Sequence, residues 1–375
     1  MDEGNMKIAL LGDMAFFGKY SLTKNNNAVF KYFEKAAEVL HGFDLVVGNL
    51  ETPFFDGNAP FGYKSAHIKA APNNVELLKY LNIAAVNLAN NHIFDHGLQG
   101  YRSTCEALDR NGIEYFGIEN KQLRIARKDT KIALSGFCCN STNACGYYDP
   151  QKGYGINVLD GKDVESTLKR NQEEGFLNIS SFHWGEEHVH YPNYDHVLFA
   201  RKLASRVPFV LYGHHPHVLQ GVEAWEGSLL AYSIGNFCFD DVYTDKSKTP
   251  LVQQRDVNKR SVILALNIEK NTLSNYEMIP LIAENEKLQV DQDQSLIEDV
   301  KIFSLMLNDE ESKYREFRNK LWTLYLNSRK KQRDFKWYLK RLNFRSLGLL
   351  LTAKWNKRLY KQHILNYTND IEEIN

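Results

Sequence analysis

The feature that most limits the possible folds is a repeated break. Six short apolar runs, each suited to a strand buried on both faces, stop abruptly at polar or ionisable residues. They are LLGD, ending at Asp13; VVGNLE, with Asn49 and Glu51; NLANNH, with Asn90, Asn91 and His92; ISSFHWG, with His183; VLYGHHPH, with His214, His215 and His217; and YSIGN, with Asn236. Between several of them lie helix-like stretches such as NNAVFKYFEKAAEVLHG, APNNVELLKYLN, GLQGYRSTCEALDRNG and YDHVLFARKLASR, edged by turn residues. The alternation predicts an α/β domain of layered sheets and helices.

In open α/β sheets, ligands bind outside the carboxyl ends of the strands, so these breaks should converge. Each alone has an ordinary explanation: Asp13 as a helix cap, Asn49 and Asn236 as turn residues, His183 as a satisfied half-buried histidine. Six together are harder to dismiss, because buried carboxylates and imidazoles cost free energy unless a metal or hydrogen-bond partners offset it. Asp and Glu oxygens, an Asn carbonyl and neutral imidazoles make a mixed oxygen and nitrogen donor set. Such a set suits Mn²⁺, Zn²⁺ or Fe, and is large enough for two divalent ions. A close pair of ions can activate water and hold both oxygens of an in-line phosphoryl displacement.

The motifs also carry a resemblance. LLGDM, VVGNLETP, NLANNHIFDHG, HWGEEHVHYP, GHHPHVLQGVE and YSIGNFCFD run in order through residues 6–240. In them the chain resembles the bacterial capsule-synthesis CapA proteins of the poly-γ-glutamate type, whose domain is similar to calcineurin-like metallophosphoesterases. The resemblance implies a metallophosphatase-like sandwich of mixed sheets flanked by helices over residues 6–295. It implies that Asp13 binds the first metal, that Glu51 stands where such enzymes keep a bridging aspartate, and that Asn91 binds the second metal through its amide oxygen. His183, His215 and His217 complete the implied ligands, the family pattern being looser at His214. His92 becomes the acid facing the leaving group, with Asp95 as its orienting partner. Glu187 fits the tryptophan-glycine-x-glutamate signature and would touch metal-bound water or substrate. Lys69 stands in place of an arginine expected after GYKSAH, a point cation instead of a bidentate anion contact. Asn236 would bind substrate. Asn90, His96 and Gly97 shape a turn, His96 as a solvated helix-start residue. The stretch after Asp13, MAFFG, lacks the histidine found there in many phosphoesterases.

Beyond residue 295 the strand pattern gives way to a charged helical one, predicting a basic aromatic extension over 296–375. Net charge is zero for the chain, yet between Ser312 and His363 sixteen lysines and arginines face only Glu316 and Asp334, a local excess of +14. Trp322, Trp337 and Trp355 stand among these cations. The extension could pack its aromatic stripe on the domain, dock on an anionic membrane surface, or contact capsule machinery. Nucleic acid ranks well behind. The first residues lack the features of a signal peptide and no run reaches membrane-spanning length, so the expected location is cytoplasmic, peripheral at most to the inner face of the membrane. Five cysteines, without zinc-finger spacing, read as reduced thiols, a Cys138, Cys139 and Cys145 metal trio being the alternative.

The functional expectation is a metal-dependent hydrolase of capsule or exopolymer synthesis, whether the polymer is poly-γ-glutamate or polysaccharide, acting most simply on a phosphate ester. Its substrate would be an anionic polymer or a phosphorylated compound. The alternatives are amide or acyl transfer or cleavage on the polymer, and a non-catalytic assembly or export factor.

Overall fold

The computed structural model describes residues 5–22, 28–127, 129–243, 249–284, 286–291, 295–330 and 344–370. Its strands are, in chain order, β1 (Asn5–Met14), β2 (Leu45–Leu50), β3 (Ile83–Asn87), β4 (Glu114–Phe116), β5 (Leu123–Arg127), β6 (Thr130–Cys138), β7 (Leu177–His183), β8 (Val210–His214), β9 (Val222–Trp225), β10 (Ser228–Ala231), β11 (Asn236–Cys238), β12 (Arg260–Glu269), β13 (Thr272–Glu284) and β14 (Lys287–Val290). The first sheet runs β14-β13-β12-β1-β2-β3-β4, with β11 also beside β1. The second runs β5-β6-β7-β8-β10-β9. The first is parallel from β1 to β4 and antiparallel from β1 to β14; the second has a parallel centre and antiparallel margins.

The near-continuous apolar runs follow from burial on both faces. Along β1, Ile8 and Leu10 enter the layer between the sheets with Val47, Leu134, Ile179 and Tyr212. Ala9 and Leu11 point the other way, into the core that includes Phe33, Leu77 and Leu108 of helices α1 (Ala28–Leu40), α2 (Val75–Tyr80) and α3 (Gly97–Arg110). The outer face of the second sheet is covered by α4 (Gly161–Glu173) and α5 (Tyr194–Arg206), which bury Leu168 and Leu203 with Phe182 and Leu211. Asp160 caps α4, its carboxylate accepting from the backbone of Lys162 at 3.0 Å and Asp163 at 3.3 Å. Sequence reading marked the apolar central strands but not β13, whose outer half is exposed and polar.

After the last strand come α6 (Ser295–Met306), α7 (Glu311–Lys330) and α8 (Phe344–Tyr360), the last continued by a π turn, Lys361–Leu365, and a short turn, Asn366–Asn369. These helices share the core of the body. Leu307, Tyr314, Ile364 and Tyr367 are buried in the same cluster as α4 and α5. Polar contacts reinforce the seam: Arg318 pairs with Glu186, Arg315 with Asp195 at 2.9 Å, and Lys202 donates to the carbonyl of Tyr367 at 2.6 Å. The packed aromatics are thus largely tyrosines. Trp355 is 57% exposed, and Trp337 lies outside the described residues. No described helix is long and apolar enough to cross a membrane.

Candidate active site

Strand register brings the polar breaks together. In the first sheet Asp13 is paired with Asn236 on one side and Asn49 on the other, and Asn49 is paired in turn with Asn87. In the second sheet His183 lies between Cys138 and His214. Asn49 joins the two rows: its amide nitrogen is 2.8 Å from Asp13 Oδ1 and 3.4 Å from His183 Nδ1, while its oxygen accepts from Asn87 at 3.1 Å. Sequence reading noted Asn49 only as one of the polar breaks, with a turn as its ordinary explanation. Its work is positional, and its partners lie on other segments.

Glu51 follows β2 directly and is fully buried, yet neither carboxylate oxygen has a hydrogen-bond partner. Around it stand His183 Nε2 at 3.7 Å and His217 Nε2 at 3.9 Å. Burial, and then the charge of Asp13, raise this carboxyl well above the usual range. A buried carboxylate without donors is costly, and a cation among these imidazoles removes the cost. Two sets of side chains can hold such a cation: Glu51, His183 and His215, and Asp13, Glu51 and His217. Glu51 is common to both. Neither set contains a cysteine; all five cysteines are free, and burial raises the thiols of Cys139 and Cys145 to about 11.

The imidazoles are prepared as neutral donors. Burial pushes His215 down to about 3 and His183 well below its ordinary value, and His215 Nδ1 has no hydrogen-bond partner. His217 differs: burial opposes its charge, but Glu51 and Asp13 outweigh burial and lift it to about 10. Its Nδ1 donates to Asn236 Oδ1 at 2.8 Å, which leaves Nε2 on the Glu51 side. Asp13 is held well below the usual carboxylate range, against burial, by His214 at 3.2 Å and His217 at 3.3 Å, and it also accepts from the backbone of His215 at 3.0 Å. The turn carrying these histidines is strained, with φ of 91° at His215 and 56° at His217. Left-handed backbone at a residue with a side chain costs of order 1–3 kcal/mol and collects at functional sites.

Asn91 places its amide oxygen 3.0 Å from His183 Nε2 and donates its amide to the Thr142 carbonyl at 3.3 Å. The adjacent His92 donates from Nδ1 to Asp95 Oδ2 at 2.6 Å. Asp95 is buried and also receives the backbone N–H of Ile68 at 2.7 Å and the ammonium of Lys64. Burial would raise Asp95, but His92 and Lys64 prevail and bring it down to about 2. Lys64, in the GYKSAH stretch, was missed by sequence reading. Its Nζ also reaches the Asn91 carbonyl at 2.5 Å and lies 3.2 Å from His92 Nδ1.

His92, Asn91, His217, Lys64 and Glu187 line a cavity of about 720 Å³. Two sequence assignments fall elsewhere. Lys69 is outside the lining, its ammonium occupied by the Gly57 carbonyl, because the chain leaves the cavity after Ala66; Lys64 is the cation that lines it. Asn236 is likewise absent from the lining: parallel pairing of β11 with β1 sets it beside Asp13, and its side-chain oxygen accepts from His217 Nδ1 at 2.8 Å, which orients that ring. His96 does start α3 but is buried, accepting from the backbone of Ala59 at 3.2 Å.

The family model described as bacterial capsule synthesis protein PGA_cap matches residues 7–241, which contain every residue of this site. The chain belongs to the PGA_cap family. Among its relatives is a PGA biosynthesis protein CapA of Bacillus subtilis, 25% identical over 74% of this chain and 71% of that one. A capsule biosynthesis protein CapA of Bacillus anthracis is 24% identical over 71% of this chain and 68% of that one. A solved calcineurin-like phosphoesterase from Bacillus subtilis superposes with a TM-score of 0.42 at 13% identity, over 84% of this chain and 99% of that one, a distant likeness that decides nothing about the site. The PGA_cap match ends before α6, so α6 to α8 lie outside the matched residues.

Proposed function

We propose that this PGA_cap protein is a metal-dependent phosphoester hydrolase serving capsule or exopolymer synthesis. The observation that carries the reading is Glu51, buried without a donor and shared by two sets of carboxylate and imidazole groups. Glu51, His183 and His215, with the nearby Asn91 amide oxygen, would hold one ion; Asp13, Glu51 and His217 would hold the other. Bound divalent ions supply Lewis-acid polarisation of a phosphoryl oxygen and lower the pKa of water.

The chain's own residues do the rest. Asp95 fixes the tautomer of His92, leaving Nε2 as its remaining nitrogen in the cavity lining. Burial keeps His92 below its ordinary value against the pull of Asp95. A phosphate anion entering the cavity adds negative charge that favours the imidazolium, readying it to protonate the leaving oxygen. Lys64 steadies this arrangement by binding both Asp95 and the Asn91 carbonyl. Glu187, also in the lining, lies at the solvent side with 36% of its side chain exposed and can orient water or substrate.

The test is metal analysis of protein purified without chelator, combined with a screen of phosphate esters and γ-glutamyl compounds. More than one equivalent of Mn, Zn or Fe with phosphate release is expected. Metal-free protein that stays inert to every ester after Mn²⁺ or Zn²⁺ is added would overturn the reading.

A further inference from the structure

The candidate site cavity has a mixed lining. Asn91, His92, His217 and Glu187 bring it polar side chains of the site, joined by neutral groups such as Gln254 and Ser346, while much of the remaining lining is hydrocarbon. Phe239, Val242 and Val252 come from the segment after β11, and Leu349, Leu350 and Ala353 from α8. Phe239 and Val242 belong with Ala15 and Ile68 to a small apolar cluster separate from the main cores. Helix α8 lies close against the mouth: a Cβ on Gly348 would come within 2.7 Å of the Tyr63 ring, so glycine permits the approach. Leu350, though part of the lining, is 69% exposed.

This composition is unsuited to a polyanion. Lys64 is the one lysine or arginine in the described lining, and it already binds Asp95. Successive carboxylates of a polymer would lie on leucine and valine without partners. Hydrocarbon would be favoured there, by about fourfold in affinity for each methylene fully buried. Leu349, Leu350 and Ala353 of α8 lie beyond the residues that the family model matches.

We propose that the substrate is an amphiphilic phosphate ester, with its phosphate at the histidine end and its hydrocarbon group against α8. The proposal rests on the phosphoester reading above and narrows it to an ester of an apolar alcohol. The volume of about 720 Å³ is within the range of pockets that enclose a small organic ligand.

Calorimetric titration of the full-length chain, with Mn²⁺ present, would compare methylphosphonate with hexylphosphonate, neither of which can be hydrolysed. Hexylphosphonate should bind at least about tenfold tighter. Leu349→Gln combined with Leu350→Gln should bring the ratio close to one; both side chains reach solvent, so the fold should tolerate the change. Ala353→Phe, which fills the same wall at another exposed position, should have the same effect. Equal affinities in the wild type would overturn the proposal while leaving the phosphoester reading standing. A ratio that survives in both variants would place the hydrocarbon elsewhere and overturn it too. Failure of both phosphonates to bind would remove the phosphoester reading, and this proposal with it.

Discussion

His92 donates from Nδ1 to Asp95 Oδ2 across 2.6 Å, three residues apart on one turn. The bond presets one tautomer and places a carboxylate behind the ring of His92. His92→Ala should therefore keep the fold and most of the metal but lower turnover by roughly 10² to 10⁴. Paired measurement of metal content and rate on the best ester from the screen checks this. A wild-type rate in His92→Ala would remove His92 from the chemistry.

Asp95 carries a different burden, because its removal takes from Lys64, whose side chain is 6% exposed, its carboxylate counter-charge. Asp95→Ala should cost about 3–5 kcal/mol of stability in addition to activity, the usual consequence of removing one member of a buried ion pair. Urea unfolding of the variant beside His92→Ala separates the two effects. A loss below about 1 kcal/mol would mean that Lys64 finds solvent.

Glu51→Gln should uncouple stability from metal binding. In chelator-stripped protein the variant should melt at the wild-type temperature or above, since it replaces a buried carboxyl that lacks donors. Added Mn²⁺ or Zn²⁺ should stabilise the wild type by about 2.7 kcal/mol at a hundredfold excess over Kd, and the variant far less. Thermal scans with and without metal decide it; equal metal-induced shifts would exclude Glu51 as a ligand.

Acid sensitivity should trace partly to His196. It is buried against Trp184, the ring centroids 4.7 Å apart, and burial followed by the charge of Arg318 pushes it down to about 3. Unfolded chains protonate this imidazole near 6.5, the native state not until about 3. Stability is therefore lost as pH falls through that window, by up to about 1.4 kcal/mol per pH unit for one such group. His196→Phe should flatten the slope of metal-stripped protein between about pH 6 and 4.5 by up to that amount. An unchanged slope would show that His196 is protonated when folded.

Gly161 tests the seam of the C-terminal helices. A Cβ there would lie 2.1 Å from the Tyr367 ring, whose hydroxyl donates to Glu165 at 2.7 Å. Gly161→Ala should displace the ring, cost about 1–3 kcal/mol by overpacking, and speed proteolysis near the last turn. Resistance equal to wild type would show that the seam can adjust.

Much of this protein was legible before folding. The runs ending at Asp13, Glu51, His183 and the GHHPH turn announced parallel strands with a polar end, because strands buried on both faces must be apolar until they emerge. The six polar breaks and the CapA-like motifs pointed to the family that the comparison then showed. The site's supporting contacts were less visible. Lys64, Asn49 and the backing role of Asn236 depend on neighbours from 19 to 134 positions away, and no local pattern encodes such distances.

The sequence by itself determined the apolar central strands, where those strands stop and which donor types stand at the stops, since these follow from local periodicity and side-chain chemistry. Only the tertiary structure decided that Lys64 and not Lys69 reaches the cavity, that Asn236 orients His217, and that α8 supplies an apolar wall. Those outcomes are set by strand register and by helix packing across the chain, where a shift of one residue reverses the face a side chain presents.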